Sequence, residues 1–464
     1  MSTLPPTPGH SALWATWRWI RDPYPYIAEV RRDLGETFRL RLFGMEVVVF
    51  SNPEDVREIF ADGGDDLVAG RFNRALAPLL GDRSVLMADG REHRRKRKLL
   101  LPPFHGERMQ AYGRTMLDAA DEVIDLFPHG TPFPLHAPMQ DLTLRVIVRT
   151  IFGFEGARAT VMMNLLKRVI ELGTSPLLLS KTMQRDLGGL SPYGRFRRAA
   201  REGDLVLYEE IARRRRSGER GTDVLSLLLD AVDEEGAPMS DEELRDELAT
   251  LLVAGHETTA TALTWTMRWL LDSPDLVREL ATAIGALGPD PEPAAIARVE
   301  LLDAVVREGL RLVPVIPIVG RVLLEDRRIG AWDLPAGTNV VCSVYLAHRR
   351  PEVYPDPDRF DPRRFLGQKL SAAEFFPFGG GLRRCIGMAF AVYEMKMVLA
   401  RLLARTHLEL ARPGAIGMVR RSITITPSGG LPVVLRRRTP SRPRPAADQF
   451  LKDSEGSRVA LDNL

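Results

Sequence analysis

Short apolar runs with alternating polar positions predict small β-structures towards both ends of the chain. Phe38–Leu42 and Val47–Phe50 have the pattern of a hairpin, with β-branched residues in the second arm. Val340–Tyr345 predicts a further short strand, and Ser422–Thr426 and Leu431–Leu435 predict two strands joined by a Pro-Ser-Gly-Gly turn. Short runs of this kind are typical of small sheets.

Most of the remaining pattern is helical. Helical periodicity extends from about Glu107 to Glu247, with breaks at Pro128–Pro138 and around Pro192. Shorter helices are expected at Asn52–Phe60, Asp303–Leu312 and Ile386–Leu403, and a Pro-, Asp- and Arg-rich loop at Arg349–Phe365. The chain is therefore predicted to be mainly α with small β-sheets, an α+β fold in one large domain.

One helix is expected to be much longer than the others. Ser240 and Glu243 form a capping box, in which the hydroxyl and the carboxylate satisfy each other's helix-end amides. The helix that begins there can extend to about Leu271, which is roughly 30 residues and ~45 Å. A helix of this length in a globular protein is expected to be a central axis.

Composition supports a globular protein and limits its domains. The 464 residues are 45% hydrophobic and 27% charged, which excludes wholesale disorder, collagen-like repeats and coiled coils. We expect one domain over residues 1–435. The tail at 436–464 is rich in Arg, Pro, Ser and Asp without periodicity, and we expect it to be disordered.

Charge and targeting patterns narrow the class further. The 64 basic and 61 acidic residues are interleaved, which weakens a nucleic-acid-binding interpretation. The segment Met1–Gly9 lacks the layout of a secretory signal, and no stretch reaches roughly 18 uninterrupted apolar residues. Two cysteines are too few for a disulfide scaffold or a four-cysteine metal site. We expect a cytoplasmic protein without a membrane anchor, soluble or at most peripheral.

Cys385 is the residue with the strongest chemical signal. It follows three consecutive glycines and precedes a helix, so helix-end amides and the neighbouring Arg383 and Arg384 favour its thiolate form. On this basis alone it could be a nucleophile, a redox sensor or a metal ligand. Cys342 lies in a Val-rich run and is expected to be a small buried residue.

The segment around Cys385 resembles a known signature. Residues 378–387 match every fixed position of Phe-x-x-Gly-x-Arg-x-Cys-x-Gly, the haem-binding pattern of the cytochrome P-450 monooxygenases. The resemblance implies the cytochrome P-450 fold and a haem b whose iron is bound axially by the Cys385 thiolate. It places Phe378, Gly381, Arg383 and Gly387 at the cofactor, with glycines that let the backbone approach the porphyrin.

Further cofactor contacts are implied by the same resemblance. His93 and Arg97 lie four residues apart on one predicted helix face and match the family's haem-propionate pair. Arg383 and Arg321 fall where the family supplies further propionate partners. The rest of the basic run around Arg94–Lys98 is expected to be a solvated face, or a docking site for an acidic redox partner.

A third motif is structural rather than catalytic. Glu308-Gly309-Leu310-Arg311 resembles the family's Glu-x-x-Arg, and its third partner is expected near Arg359, within Asp358-Arg359-Phe360. The same spacing recurs elsewhere in the chain. The apolar setting and the order of the motifs single out Glu308 and Arg311, which are expected to hold the core around the cysteine loop.

The long helix carries a motif that resembles the family's oxygen-activation sequence, Ala254-Gly255-His256-Glu257-Thr258. A gap at Ala254 and the acid–alcohol pair Glu257 and Thr258 can position water that delivers protons to bound oxygen. His256 occupies the variable position and is given no role.

Together these motifs imply a haem-thiolate monooxygenase that hydroxylates or epoxidises a lipophilic small molecule with dioxygen. Its electrons would come from a ferredoxin or flavodoxin with its reductase. Two alternatives are a peroxide-driven hydroxylase and a non-catalytic haem sensor or carrier, and Glu257 and Thr258 disfavour both. A nucleic-acid module would need aromatic platforms beside the basic run, which the sequence lacks.

The segments expected to line the substrate pocket are uncharged. They are Val85–Met87, Leu251–Gly255, Val313–Val319 and Ile423–Thr426. A buried substrate charge would find no partner among them, so a neutral terpenoid, steroid or macrolide is expected. A fatty acid would need an arginine at the pocket mouth, for which Arg71 is a candidate.

Overall fold

The computed structural model describes residues 4–62, 66–106, 108–173, 186, 191–421 and 423–440. The α-helices in these ranges are α1 Ala12–Arg21, α2 Pro23–Leu34, α3 Pro53–Ala61, α4 Gly70–Asn73, α5 Ala77–Leu80, α6 Gly90–Leu100, α7 Arg108–Asp125, α8 His136–Phe152, α9 Gly156–Gly173, α10 Pro192–Ser217, α11 Val224–Asp230, α12 Asp241–Leu271, α13 Pro274–Gly285, α14 Pro293–Ala297, α15 Glu300–Leu312, α16 Val344–Ala347 and α17 Met388–Arg405. The β-strands are β1 Thr37–Leu42, β2 Met45–Phe50, β3 Leu67–Val68, β4 Pro132–Pro134, β5 Ile318–Leu323, β6 Arg327–Ile329, β7 Trp332–Leu334, β8 Asn339–Ser343, β9 Thr406–Leu410, β10 Met418–Arg421, β11 Thr424–Pro427 and β12 Pro432–Arg438.

Helix α12 is the central axis that the sequence predicted. It has 31 residues, and both reciprocal hydrogen bonds of the capping box between Ser240 and Glu243 are present. The helix packs against α8, α15, α17 and β11, and most of its side chains from His256 to Leu270 are buried. Gly255 lets α8 come close, because a Cβ there would lie 2.6 Å from the Ile147 side chain.

The largest sheet has the strand order β1-β2-β8-β5-β3. The first hairpin is confirmed, and its second strand pairs in parallel with β8, which carries Cys342. Strand β5 lies antiparallel beside β8 and carries Arg321. Strand β5 also adjoins the loop that contains Cys385, because a Cβ on Gly379 would lie 3.5 Å from the Val319 side chain. The sheet therefore places Arg321 on the same side of the molecule as this loop.

The strands near the carboxyl end differ from the expected arrangement. β11 pairs with β10, whereas β12 pairs with β4 and β9, so the two predicted strands belong to separate sheets. Strand β12 continues through Arg438, which pairs with Thr406, so the boundary expected at residue 435 falls inside a strand. Of the tail at 436–464 that was expected to be disordered, residues 436–438 belong to β12, and residues 441–464 lie outside the described residues.

Other boundaries move by a few residues. The helix expected at Asp303 begins at Glu300, and the run expected to be a strand through Tyr345 turns into α16 after Ser343. Within the described ranges, no helix combines the length and apolar character needed to cross a membrane.

Candidate active site

Cys385 lies at the end of a tightly closed loop that leads into α17. The Cys385 amide donates to the Phe378 carbonyl at 2.9 Å, and the Arg384 amide donates to the Gly381 carbonyl at 3.2 Å. The second bond closes a short 3₁₀ turn at Gly381–Arg383. The backbone therefore fixes the position of the thiol before the helix begins.

Two of the loop glycines are required by protein packing. A Cβ on Gly380 would lie 2.2 Å from the Phe60 ring, and one on Gly381 would lie 2.2 Å from the Phe60 carbonyl oxygen. Gly381 also has a φ of +62°, which disfavours other residues. These glycines thus seat the loop on the end of α3, rather than only admitting a porphyrin as the sequence analysis expected. At Gly387, in contrast, a Cβ would enter open space.

The Cys385 side chain is accessible, yet protein surrounds it closely enough that burial raises the pKa of its thiol. The thiol is thus surrounded by protein atoms without being covered by them. The Gly387 amide, Arg97 and Arg384 lower the pKa but do not outweigh burial, so the thiolate expected from sequence is not favoured by the protein alone. A bound metal cation would supply the missing stabilisation. Cys342 is buried in β8, and burial raises its pKa to about 12.

The four predicted propionate residues, His93 and three arginines, lie close together in one cluster. Burial is the largest cause that lowers the pKa of His93, to about 3. The positive charges of Arg383, Arg97 and Arg321 add to the effect. Burial also lowers the pKa of each of these arginines, that of Arg383 to about 10. Asp89 is the carboxylate that pairs with Arg383. The cluster is thus short of negative charge, which a dianionic group would supply.

Buried ion pairs hold α6, the helix of His93 and Arg97, against α12. The Lys96 ammonium is almost fully buried, 3.3 Å from Glu243 and 3.5 Å from Glu247, and it also donates to the Arg83 carbonyl. Arg95 bonds to Glu243 at 2.9 Å and to Asp233 at 2.5 Å. These pairs could not be predicted from local sequence patterns, because the partners are roughly 140–150 residues apart.

The rest of the basic run is largely neutralised. Lys98 pairs with Glu234, and Arg91 pairs with Glu235, both on the acidic segment that precedes α12. Lys98 keeps 64% of its side chain exposed despite this pair, in agreement with the solvated face expected of the basic run. Arg95 and Lys96 depart from that expectation, because they are held in the ion pairs described above. Arg384, on the cysteine loop, remains exposed.

One face of α12 is open although other elements enclose the helix. Ala254 is exposed, and Leu251, Gly255 and Thr258 are partly accessible, at positions that share one helix face. The Thr258 hydroxyl donates to the Ala254 carbonyl at 2.5 Å. Accessibility in the middle of a packed helix indicates that this face borders a cavity.

Glu257 points towards α8 rather than along this open face. Its Oε2 accepts a hydrogen bond from Gln140 Nε2 at 2.6 Å, and its Oε1 lies 3.6 Å from His136 Nε2. Burial raises the pKa of Glu257 and lowers that of His136 to about 4, which favours the neutral form of each. His136 and Gln140 were not predicted as site residues, because no motif in the neighbouring sequence marks them. His256 is buried against α8, where its carbonyl accepts from Thr143.

Glu308 and Arg311 form a fully buried pair, with Nε–Oε2 and Nη2–Oε1 distances of 2.6 and 2.8 Å. The predicted third partner is corrected. Arg359 is exposed and contributes only its carbonyl, whereas Arg364 donates from Nε to Glu308 Oε1 at 3.2 Å. The loop that follows α16 contains two Arg-Phe pairs, at 359–360 and 364–365, and the second lies in a 3₁₀ turn that packs against α15.

These features fit a haem bound through a cysteine thiolate. The accessible thiol could ligate an iron, a Cβ on Gly387 would meet no protein atom within 4 Å, and the cluster of His93 and three arginines could hold two carboxylates. The open face of α12 is the part of the site that reactants could reach.

Comparison with known proteins agrees with this geometry. Residues 5–430 match the family described as Cytochrome P450. The chain is 37% identical over 417 residues to putative cytochrome P450 135B1 of Mycobacterium tuberculosis, covering 87% of this chain and 85% of that protein. It is 34% identical over 439 residues to putative cytochrome P450 138 of the same organism, covering 94% and 97%.

Among solved structures, retinoic acid-bound cyanobacterial CYP120A1 superposes with a TM-score of 0.83 at 25% identity, covering 94% of this chain and all of that chain. The cytochrome P450DA haem domain superposes equally well at 24% identity, covering 95% of this chain and 98% of that chain, which supports the fold alone. The mainly α architecture with small sheets is thus a known one.

Proposed function

Because this chain belongs to the cytochrome P450 family, and is therefore a haem-thiolate monooxygenase, we propose that it oxidises a neutral lipophilic ring compound in the cytoplasm. We further propose that a separate ferredoxin or flavodoxin supplies the electrons. The observation that carries the substrate class is the uncharged open face of α12, formed by Leu251, Ala254, Gly255 and Thr258.

The bound haem supplies dioxygen binding and activation, and the protein's residues hold it and manage protons. Cys385 would hold the haem iron through its thiolate, and His93, Arg97, Arg321 and Arg383 would donate to the propionates. The buried cationic cluster described above supports this assignment, because unpaired positive charge at close range is costly.

In the proposed proton path, Thr258 holds a proton at Oγ1 on the open face, and Glu257 is the reserve acid behind it. Burial raises the pKa of Glu257, and His136 and Gln140 lie against its carboxyl group. Since Glu257 faces α8, its side chain must turn, or a water must bridge, before the proton reaches Thr258. Peroxide-driven turnover would not need this pair.

Thr258→Ala is expected to retain haem and substrate but to lower the yield of product per electron pair by about tenfold or more, because proton delivery fails. Electrons would leave as hydrogen peroxide or water instead. Coupling efficiency is the measurement. Thr264→Ala is the matched control, since Thr264 makes the same bond to the carbonyl four residues earlier, at 2.7 Å, but is buried. Unchanged coupling in Thr258→Ala would refute the assigned role.

The other proposed pocket segments are also apolar. Val85, Met87 and Val315 are buried, and Ile316 and Val319 are partly accessible. The Ile425 amide bonds to the Val315 carbonyl at 3.1 Å, which joins two of the segments. An apolar ligand gains roughly 25 cal/mol per Å² buried there, whereas a charge would lose hydration without gaining a partner.

A carboxylate-bearing lipophile is the competing substrate class. The relative CYP120A1 was solved with retinoic acid, which carries a carboxylate. Arg71 is exposed on α4, next to β5, and could receive such a group. Neutral terpenoids or steroids are nevertheless expected to shift the haem from low to high spin at lower concentration than fatty acids of similar size. A shift produced only by fatty acids, and lost in Arg71→Ala, would overturn the neutral-substrate proposal.

The proposed electron donor is acidic, because Arg384 is exposed beside the cysteine loop. Turnover is measured with a ferredoxin and its reductase, with the ferredoxin concentration limiting. The rate should fall severalfold between roughly 0.05 and 0.5 M salt, because salt screens the attraction between the two proteins. Arg384→Gln should flatten this dependence, whereas Arg216→Gln, an exposed position on α10, should not. A rate indifferent to salt would contradict electrostatic docking.

A further inference from the structure

His348 is a buried residue for which neither the sequence motifs nor the proposed reaction accounts. It directly follows α16, and its side chain is fully buried. The ring stacks on Phe375 with the centroids 5.2 Å apart, and its Nε2 accepts a hydrogen bond from the Phe376 amide at 3.0 Å. This ring therefore holds the backbone of the segment that leads to Cys385.

The charge state of His348 keeps this acceptor available. Burial lowers the pKa of the imidazole well below its ordinary value, and the positive charges of Arg311 and Arg349 add to the effect. The ring is therefore neutral, and because Nε2 accepts from Phe376, its one proton is on Nδ1. His348 is thus a permanent acceptor for the Phe376 amide rather than a group that exchanges protons.

Phe376 is the residue at which the cysteine loop begins. Its carbonyl accepts from the Gly379 amide at 2.9 Å, and the next bond of the loop joins the Phe378 carbonyl to the Cys385 amide. The Phe376 ring also meets the Phe60 ring edge to face, with the centroids 5.2 Å apart. Because the loop glycines are seated on Phe60, a shift of Phe376 would move the loop relative to its seat.

The backbone of His348 contacts the buried ion pair of Glu308 and Arg311. The His348 carbonyl accepts from Arg311 Nη1 at 2.9 Å. The other hydrogen bonds of Glu308 and Arg311 join the two side chains to each other and to the loop at residues 357–364. Among these partners, His348 is the residue whose own side chain bonds onward to the cysteine loop.

We propose that His348 is a positioning residue for Cys385, because it ties the cysteine loop to the pair of Glu308 and Arg311. The inference rests on the proposed role of Cys385 as the axial ligand. A group that fixes the backbone behind a ligand keeps that ligand oriented towards the metal. Without the acceptor, the buried Phe376 amide would lose its partner, and conformations in which the loop opens to water would become more populated.

The lifetime of the red-shifted carbon monoxide band, followed in the purified holoprotein under mild warming, tests the proposal. His348→Phe keeps an aromatic ring but removes the acceptor. We expect its band to decay roughly tenfold faster, into the ordinary Soret band of haem without a thiolate ligand. His348→Gln offers a side-chain oxygen to the Phe376 amide and should restore a lifetime within about threefold of the wild type.

Tyr354→Phe is the matched control. Tyr354 also packs against the His348 ring, and its hydroxyl donates to the Glu374 carbonyl at 2.9 Å. The substitution removes a hydrogen bond to the same segment without changing the acceptor of the Phe376 amide. The band lifetime should therefore stay within about twofold of the wild type.

Hydrogen exchange resolved to single residues distinguishes this proposal from the proposed function, because exchange rates do not depend on which residue ligates the iron. In His348→Phe, the amides between residues 376 and 385 should exchange roughly tenfold faster than in the wild type. If His348→Phe does not fold, the wild type still decides. Its Phe376 amide should be among the slowest of the segment to exchange.

Three outcomes would overturn the proposal. They are rapid exchange of the Phe376 amide in the wild type, equal band lifetimes in His348→Phe and Tyr354→Phe, and a lifetime in His348→Gln as short as that in His348→Phe. A red-shifted band that persists in Cys385→Ala would instead refute the axial ligand of the proposed function, while the exchange rates would still report whether His348 holds the loop.

Discussion

Cys385→Ala is expected to abolish the strongly red-shifted Soret band that reduced haem-thiolate proteins show with carbon monoxide. The loss should be complete, because Cys385 is the cysteine at the end of the loop that leads into α17, and Cys342 is sealed in β8. Difference spectroscopy of the reduced protein is the measurement.

Cys342→Ala provides the matched control. Burial raises the pKa of Cys342 to about 12, so its side chain stays a protonated thiol that a metal ion cannot approach. Its replacement should leave the carbon monoxide band in place. If Cys342 were instead the cysteine required, the assignment of the axial ligand would fail.

Arg311→Ala is expected to lower the free energy of unfolding by about 3–5 kcal/mol, because it leaves the Glu308 carboxylate buried with too few partners. Arg311 also donates to the His348 and Pro357 carbonyls at 2.9 and 2.7 Å. Its replacement therefore removes two hydrogen bonds that hold the loop following α16. Chemical denaturation at fixed haem occupancy measures the effect.

The variants of the two candidate third partners separate the alternatives even if Arg311→Ala does not fold. Arg364→Ala removes a donor to Glu308 and should cost about 1–3 kcal/mol. Arg359→Ala keeps the carbonyl that accepts from Arg311 and should change stability by less than about 0.5 kcal/mol. The reverse order of effects would restore Arg359 as the side-chain partner.

Local pattern was sufficient for the elements that carry their own signals. The capping box marked the start of α12, and alternation marked β1 and β2. Pairing across the chain was not predictable in the same way. The strands near residues 424 and 432 look like neighbours in sequence, yet β4 and β9 supply the partners of the second. The pairing of β12 with β4 and β9 depends on which strand edges meet in the folded chain, and the local sequence pattern does not contain this information.

The candidate site divides along the same line. Cys385, Thr258, His93 and the three arginines of its cluster could be proposed from the sequence because a motif or a resemblance marks them. Lys96, Glu247, His136 and Gln140 were missed, since each matters through a neighbour more than a hundred residues away. Arg364 was missed for another reason. Two equivalent dipeptides competed, and only the packing of the second against α15 distinguishes them.

The seating of the cysteine loop on Phe60 has a consequence for how the protein is made. The loop meets the end of α3 and donates from Arg383 to the Val85 carbonyl, a contact across 298 residues. During synthesis the amino-terminal part of the chain leaves the ribosome long before residue 385 has been added. This part therefore remains without haem until the cysteine loop has been made. Haem capture is therefore a late event in the life of the nascent chain, and any translational pause before residue 388 would prolong the exposure of an unfinished, apolar haem pocket.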